Sequence, residues 1–445
     1  MARVFKDDKS IIMQENKKIK VAMICHFSNK EVREHLPLDD RKLYSFARKL
    51  MRLPAKLSMY ADIAIWDTYF IQSVLERDDI ELTVISAHSG LKKRLVSFEL
   101  EGIHYNFVRC DYSTFLMNIV KSDSLWRKIN PMTPVIKRLI DNANPDIVVL
   151  MGTENAYYSS SVLNIYNYPI YVLCQTVYNN PQFGELSSKR ASTELEILKK
   201  EKYVGVYSRK HYNLLKGLGY DKFIFDFQFP IPNKEIFQPK PCDKEYDFIN
   251  FAMQLSEDKG FHDCIKALAI VKKKYPGVRL NLIDGGPSTV RTELYQLISS
   301  LNLNENVSFT PFFPEMNDML QHLQKSRFAV LPCKVDYFSG TQLQSMQYGL
   351  PVVCYETEGT PTLNKYGESV LIAEKNNIDD LAEKMLMLMD DDQLANKLIA
   401  NAHEYIRIRD LESAQNMPRL VDNFKAIISN YKEGTPIPEE QLFHE

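Results

Sequence analysis

Glycine is scarce in this chain, 16 of 445 residues, and proline, at 21, is unremarkable. That composition leaves no room for a long flexible linker or a low-complexity tract. Neither charge sign dominates: 55 Lys and Arg stand against 57 Asp and Glu, a net charge of −2. This speaks against a polyanion binder and against nucleic acid as a partner. The seven cysteines, Cys25, Cys110, Cys174, Cys242, Cys264, Cys333 and Cys354, are odd in number and form no C-x-x-C, and several sit in apolar runs. Reduced cytosolic thiols fit that scatter; a disulfide frame or a zinc site does not. No apolar run approaches the roughly 18 residues that would span a bilayer. The start is charged and polar up to Lys20, without the apolar stretch of a signal peptide. The expectation is a cytoplasmic protein, soluble or peripheral at the inner face of a membrane. H-E-x-x-H and the Walker phosphate loop are also missing.

What is present is ordinary for a folded protein, with 45% hydrophobic and 25% charged residues. The length predicts two or more domains. Residues 1–17 read as a loose leader. Short apolar runs then recur as strands at 21–25, 80–86, 103–108, 146–150, 170–174 and 203–206. Helical patterns fall near 41–53, 63–75 and 134–142. After Pro230-Ile231-Pro232-Asn233 a second series begins, with strands at 248–252, 279–283, 307–310, 329–331 and 351–354. Its helices lie near 262–274, 290–301, 316–324 and 378–389, and a last long helical stretch runs over 391–431. Strands alternating with helices predict parallel sheets built of βαβ units, hence an α/β fold. The boundaries expected are 18–228 for the first domain, 229–410 for the second, and 411–445 for a crossing helix and tail. In such sheets ligands bind at the carboxyl ends of the strands, and a crevice between two of them is the natural active site.

The most informative stretch is Cys333 to Val353, C-K-V-D-Y-F-S-G-T-Q-L-Q-S-M-Q-Y-G-L-P-V-V. The apolar run Phe328 to Pro332 leads into a turn with Ser339 and Gly340. A short helix is expected from Thr341 to Gly349, and the next buried strand starts at Leu350. A strand, a small-residue turn and a helix N-terminus aim free N–H groups and partial positive charge at one point, which suits a phosphate. Asp336 and Gln344, eight residues apart, can both bond hydroxyl groups. Together these describe a nucleotide-sugar site; an ordinary strand–turn–helix with a polar turn is the alternative.

This segment resembles the donor-binding signature of the retaining glycosyltransferases of family 4. In that family two Glu stand eight residues apart around Gly-Phe-Gly, before Ala-Met and Gly-x-Pro-Val-Val. Phe338, Met346, Gly349, Pro351, Val352 and Val353 fit, while Asp336 and Gln344 stand in place of the Glu, and Tyr337 and Ser339 in place of the Gly. A second stretch, Met253-Gln254-Leu255-Ser256-Glu257-Asp258-Lys259-Gly260, is similar to the family's Gly-Arg-Leu-x-x-x-Lys-Gly. Lys259 and Gly260 match, and Gln254 replaces the Arg. Ile283 to Pro287 resembles a glycine turn beneath the nucleotide, and Phe312, in Thr310 to Pro314, falls where the family cradles the base. In the first domain Asn144 to Leu150 resembles a strand that ends at a cleft His; here Met151-Gly152-Thr153-Glu154-Asn155 follows instead.

The resemblance implies a GT-B architecture, two Rossmann-like doubly wound domains facing across a cleft, with a C-terminal helix crossing back to the first. It implies transfer of a sugar from a nucleotide-diphosphate sugar to a hydroxyl of a glycan or lipid-linked acceptor, with retention, in bacterial surface polysaccharide synthesis. Lys259, Asp336 and Glu154 would be catalytic; Gln254, Ser339, Gly340, Thr341, Gln344 and Phe312 would hold the donor; His26 and Gln175 would meet the acceptor. Structural readings stay open for several: a solvated Lys before a Gly cap, a helix N-terminal carboxylate at Glu154, a hydrogen-bonded structural His26, a core or hinge role for Phe312. No D-x-D stands where a metal-dependent transferase would use one, so no metal and no cofactor beyond the donor is expected. The basic amphipathic stretch Arg41 to Lys56, with Arg41, Arg48 and Arg52 on one face, suits either an anionic membrane or a core-packed helix. The changes at Gln254, Asp336 and Gln344 also admit a non-catalytic GT-B scaffold that binds nucleotide or glycan, or partners an active transferase.

Overall fold

A computed structural model describes residues 18–38, 60–180, 188–230, 239–252, 255–285, 288–334 and 340–444. The first strand series forms an eight-stranded sheet: β1 (Ile19–Cys25), β2 (Ile80–His88), β3 (Leu95–Leu100), β4 (Ile103–Arg109), β5 (Ile147–Met151), β6 (Ile170–Leu173), β7 (Tyr203–Val206) and β8 (Phe223–Asp226). Their spatial order is β3-β4-β2-β1-β5-β6-β7-β8, parallel throughout except for the β3–β4 pair. The second series makes a six-stranded, wholly parallel sheet from β9 (Tyr246–Asn250), β10 (Leu280–Asp284), β11 (Val307–Pro311), β12 (Ser326–Leu331), β13 (Val352–Tyr355) and β14 (Leu371–Ala373). Its order is β11-β10-β9-β12-β13-β14.

The apolar runs are continuous because helices cover both faces of each sheet. Successive residues of a strand face opposite ways. Accordingly Ala22 and Ile24 of β1 pack into one core while Val21, Met23 and Cys25 pack into the other. In the second sheet Phe248 and Phe328 share one core, and Ile249 and Ala329 the other.

Every strand expected from the sequence is present. Three were not legible: β3, β8 and β14. The strand β3 carries a polar face and forms a hairpin with β4 across Glu101 and Gly102, whose φ values of 51° and 78° belong to a tight two-residue turn. The other two are short edge strands. The stretch 391–431 is two helices, Asp392–Ser413 and Asn416–Glu433. The last of these buries Met417, Leu420, Val421, Phe424 and Ile427 in the core of the first sheet, so the chain returns to the domain it started from. Asn423 Nδ2 fixes the return by donating to the Asp226 carbonyl at 3.2 Å.

Phe424 is fully buried in that seam. Phe424→Ala is expected to cost about 3–5 kcal/mol, as deletion of a buried aromatic ring does, measured as a lower urea midpoint with loss of first-domain signal.

Candidate active site

Strand order reverses at one place in each sheet, between β1 and β5 in the first and between β9 and β12 in the second. Connections leave in opposite directions there, and a crevice opens beyond the carboxyl ends of the strands. The loops at these points carry His26 after β1, Glu154 after β5, Lys259 after β9, and Gly340 and Thr341 after β12.

On the second-domain side, Gly260 has φ of 76°, and a Cβ there would lie 2.2 Å from the carbonyl oxygen of Pro332. Only glycine lets these loops meet so closely. The Lys334 N–H donates to the Asp258 carbonyl at 2.8 Å and ties them further. Lys259 Nζ then rests 3.7 Å from Cys333 Sγ, and no carboxylate pairs with it among the described residues. The neighbouring cation Lys334 is engaged instead, 3.4 Å from Asp263 and 3.5 Å from Glu257. Of the two lysines, Lys259 is the one left for an anionic ligand.

The helix Gly340–Gln347 starts one residue earlier than the sequence suggests. It stops as expected: Gly349 N–H donates to the Met346 carbonyl and Leu350 N–H to that of Ser345, a Schellman closure. Gln342 is fully buried and accepts from Thr341 Oγ1 at 2.9 Å. Gln344 faces the cleft with Nε2 3.5 Å from Met316 Sδ. Phe312 is half-buried in the segment after β11, where the Pro314 carbonyl accepts from Asp62 N–H of the first domain at 2.9 Å.

On the first-domain side, His26 Nδ1 is hydrogen-bonded to the Tyr157 hydroxyl. Glu154 folds back over Gly152: a Cβ on Gly152 would sit 2.2 Å from its Oε2. That oxygen is buried with no hydrogen-bond partner among the described residues. Burial pushes the Glu154 carboxyl up to about 7, with Glu194 adding to the rise and Arg190 opposing it. Asp67, on helix Ile65–Leu75, is 1% exposed. Burial, then the charge of Glu154, raises its carboxyl well above the usual range.

The sequence offers no signal for Asp67, nor for Glu194. The Glu194 carboxylate accepts from Thr153 Oγ1 at 2.6 Å, Tyr178 N at 3.0 Å, Asn179 N at 2.9 Å and Asn179 Nδ2 at 2.8 Å. It thereby joins the loop bearing Glu154 to the loop bearing Gln175. The Gln175 carbonyl accepts from Tyr207, and Thr176 beside it keeps a buried hydroxyl without a partner among the described residues.

The two sides are pinned at both ends. Lys30 meets Glu315 at 3.0 Å, and Asp62 accepts from Met316 N at 3.0 Å and pairs with Arg33 at 2.8 Å. Lys210 pairs with Glu358 at the other end. A cavity of about 440 Å³ lies between, lined by Asn29, Thr68 and Tyr69 from the first domain and Met316, Gln344 and Tyr348 from the second. It includes Gln344 and neither Lys259 nor Glu154, so it occupies one end of the cleft. Gln254, Asp336 and Ser339, with Arg41, Arg48 and Arg52, lie outside the described residues.

Gly260→Ala is expected to lower stability by more than about 2 kcal/mol through strain and displacement of Pro332. Gly277→Ala, which meets nothing within 4 Å, serves as the control in the same melts. For Glu154 the sign is set by its raised pKa. A carboxyl raised on folding stabilises the fold while protonated, and that contribution is lost as pH climbs through about 7. Calorimetry of Glu154→Gln should therefore show little change in Tm near about pH 5 and a higher Tm than the parent near about pH 8.

Residues 232–405 match the family model described as glycosyl transferases group 1. An uncharacterised glycosyltransferase of Haemophilus influenzae is 26% identical over 137 residues, which is 31% of this chain and 37% of that relative. The curated relatives are matched over less than half of their own length, from 16% to 46%. Among solved structures, sucrose-phosphate synthase from Thermosynechococcus elongatus superposes with a TM-score of 0.65 at 13% identity, over 92% of this chain and 100% of that one. Anabaena HepE, solved in complex with UDP and glucose, gives 0.63 at 14% identity, over 91% and 100%. The chain has the GT-B fold, and its residues 232–405 resemble the glycosyl transferases group 1 family.

Proposed function

We propose that this protein transfers a sugar from a nucleoside-diphosphate sugar to a hydroxyl of a glycan or lipid-linked acceptor, with retained anomeric configuration. Residues 18–228 would bind the acceptor, residues 229–410 the donor, and 411–445 would form the crossing helix and tail. The observation that carries this reading is the junction of Gly260 with Pro332, which holds Lys259, without a carboxylate partner among the described residues, beside Cys333. A cation and a helix N-terminus on neighbouring loops suit the diphosphate of a donor. The UDP in the Anabaena neighbour makes UDP the first nucleotide to try.

In the reaction the anomeric carbon exchanges its bond to the donor phosphate for a bond to the acceptor oxygen, whose proton must leave. Negative charge builds on the departing diphosphate. Lys259 and the N–H groups of Gly340 and Thr341 would balance it, and preorganised charge of this kind needs no rearrangement as the bond breaks. Gln344 would bond the ribose, Asp336 the sugar hydroxyls, and Phe312 and Gln254 would complete the donor side. Glu154 would engage the acceptor, with His26 and Gln175 lining its approach. A carboxyl near 7 is partly protonated at neutral pH, so it can accept or donate toward a hydroxyl. The setting proposed is bacterial surface polysaccharide synthesis, in the cytoplasm or peripheral at the inner face of the membrane, without a metal. The replacement of the family's Arg by Gln254 favours a second reading, a GT-B scaffold that binds nucleotide or glycan without turnover.

Thermal shift with UDP, GDP, ADP and CMP, each without metal, tests the donor site. A ligand at a hundredfold excess over its Kd adds about 2.7 kcal/mol to native-state stability. One nucleotide is expected to raise Tm, and Lys259→Ala to weaken its binding by about 1.5–3 kcal/mol, the value of a charge-assisted bond. Sugar release from the matching donor, unaffected by chelator and lost in Lys259→Ala, supports transfer. No shift with any nucleotide, or full turnover in Lys259→Ala, sinks the mechanism, and binding without turnover leaves the scaffold.

A further inference from the structure

Exposed large apolar side chains are not spread evenly over the molecule. Twelve occur among the described residues, and five of them, Tyr112, Phe115, Ile119, Leu125 and Ile129, fall in one short stretch. Helix Asp111–Ile119 presents Tyr112, Phe115 and Ile119 at the spacing of a single face, and helix Asp123–Ile129 presents Leu125 and Ile129 one turn apart. Their exposures run from 41% to 63%. The opposite sides of the same helices supply Ser113, Met117 and Trp126 to the interior. Each of these two successive helices turns apolar side chains outward, and apolar faces of this kind on a protein surface mark a docking site.

The charge around it selects the occupant. Lys121 and Lys128 are exposed, and neither has an acidic partner among the described residues. Arg94 joins the rim by donating to the Pro131 carbonyl at 3.0 Å. The acids of the stretch are turned away or occupied: Asp111 is held by Arg109 at 3.0 Å and by Gly90 N at 2.9 Å, and Asp123 keeps Oδ1 buried. A second copy of the chain seated on this face would set lysine against lysine. An anionic surface would not.

The two helices are also tied to the end of the sheet that carries the candidate site. Helix Asp111–Ile119 follows the carboxyl end of β4, the end of the sheet that carries His26 and Glu154. Ser113 Oγ donates to Asn130 Oδ1 at 2.9 Å, and Asn130 Nδ2 donates to the Tyr157 carbonyl at 2.9 Å. We infer that this shelf docks on an anionic lipid surface, with its apolar side chains at headgroup depth and Lys121 and Lys128 against lipid phosphates. The inference stands apart from the sugar-transfer reading and holds or fails without any assay of turnover.

The test is flotation of the whole protein with vesicles of phosphatidylcholine alone or with roughly one third phosphatidylglycerol. The protein is expected to float with the anionic vesicles only, and less as salt rises. Lys121→Ala/Lys128→Ala should lower partitioning about 25-fold, each lysine near an anionic surface contributing about fivefold. Phe115→Asp/Leu125→Asp, at exposed positions, should abolish flotation with Tm unchanged. The inference is overturned if the parent stays behind with anionic vesicles, floats equally with phosphatidylcholine, or is matched by both variants. Sedimentation showing a dimer that Phe115→Asp/Leu125→Asp splits would overturn it in favour of a second copy.

Discussion

The carbonyl oxygen of Pro332 lies where the side chain of any residue other than glycine at position 260 would begin. This approach brings the loop after β9 onto the loop after β12 across the point where strand order reverses. Lys259 owes its place to it. Lys334, one residue beyond Cys333, is drawn into a pair with Asp263, whereas Lys259 has no carboxylate partner among the described residues. The approach tolerates no side chain at position 260, the residue next to Lys259.

The first-domain side is organised by buried carboxylates instead. Glu194 is satisfied by four donors from two loops and acts as a brace. Asp67 and Glu154 each keep a carboxylate oxygen without a partner among the described residues, and Glu154 makes ionisation of Asp67 more costly. A half-satisfied polar group in a low-dielectric setting is expensive to keep. Such expense is common where a ligand completes the set, and Glu154 lies at the carboxyl ends of the strands, where that ligand would bind.

What holds the two sides in register is modest. Two small groups of polar contacts, around Asp62 and at Lys210, join the lips of the cleft. Beneath them the helix Asn416–Glu433 returns to the first sheet and buries a full apolar face there. The seam that returns the chain to the first sheet is hydrophobic, while the pins at the lips named above are polar. A cavity with Gln344 in its lining lies at one end of that cleft.

Much of this was legible in the chain itself. Apolar runs bounded by turns marked the long strands of both sheets, because a strand covered on both faces must be apolar at every position, and that is a local property. Lys259-Gly260 and the helix from Gly340 were visible for the same reason: each motif lies within a few consecutive residues. The short edge strands β8 and β14 escaped because three or four residues carry too little pattern, and β3 because its outer face is polar. Asp67 and Glu194 had no signal at all. Their meaning comes from a neighbour 87 and 40 residues away in the chain, Glu154 in both cases (154 − 67 and 194 − 154). So the sequence by itself determined which segments would be strands and helices and which short motifs could face a phosphate. The tertiary structure decided which carboxylates are buried together and which lysine has no carboxylate partner among the described residues, because those depend on strand order and loop contact, which no local pattern encodes.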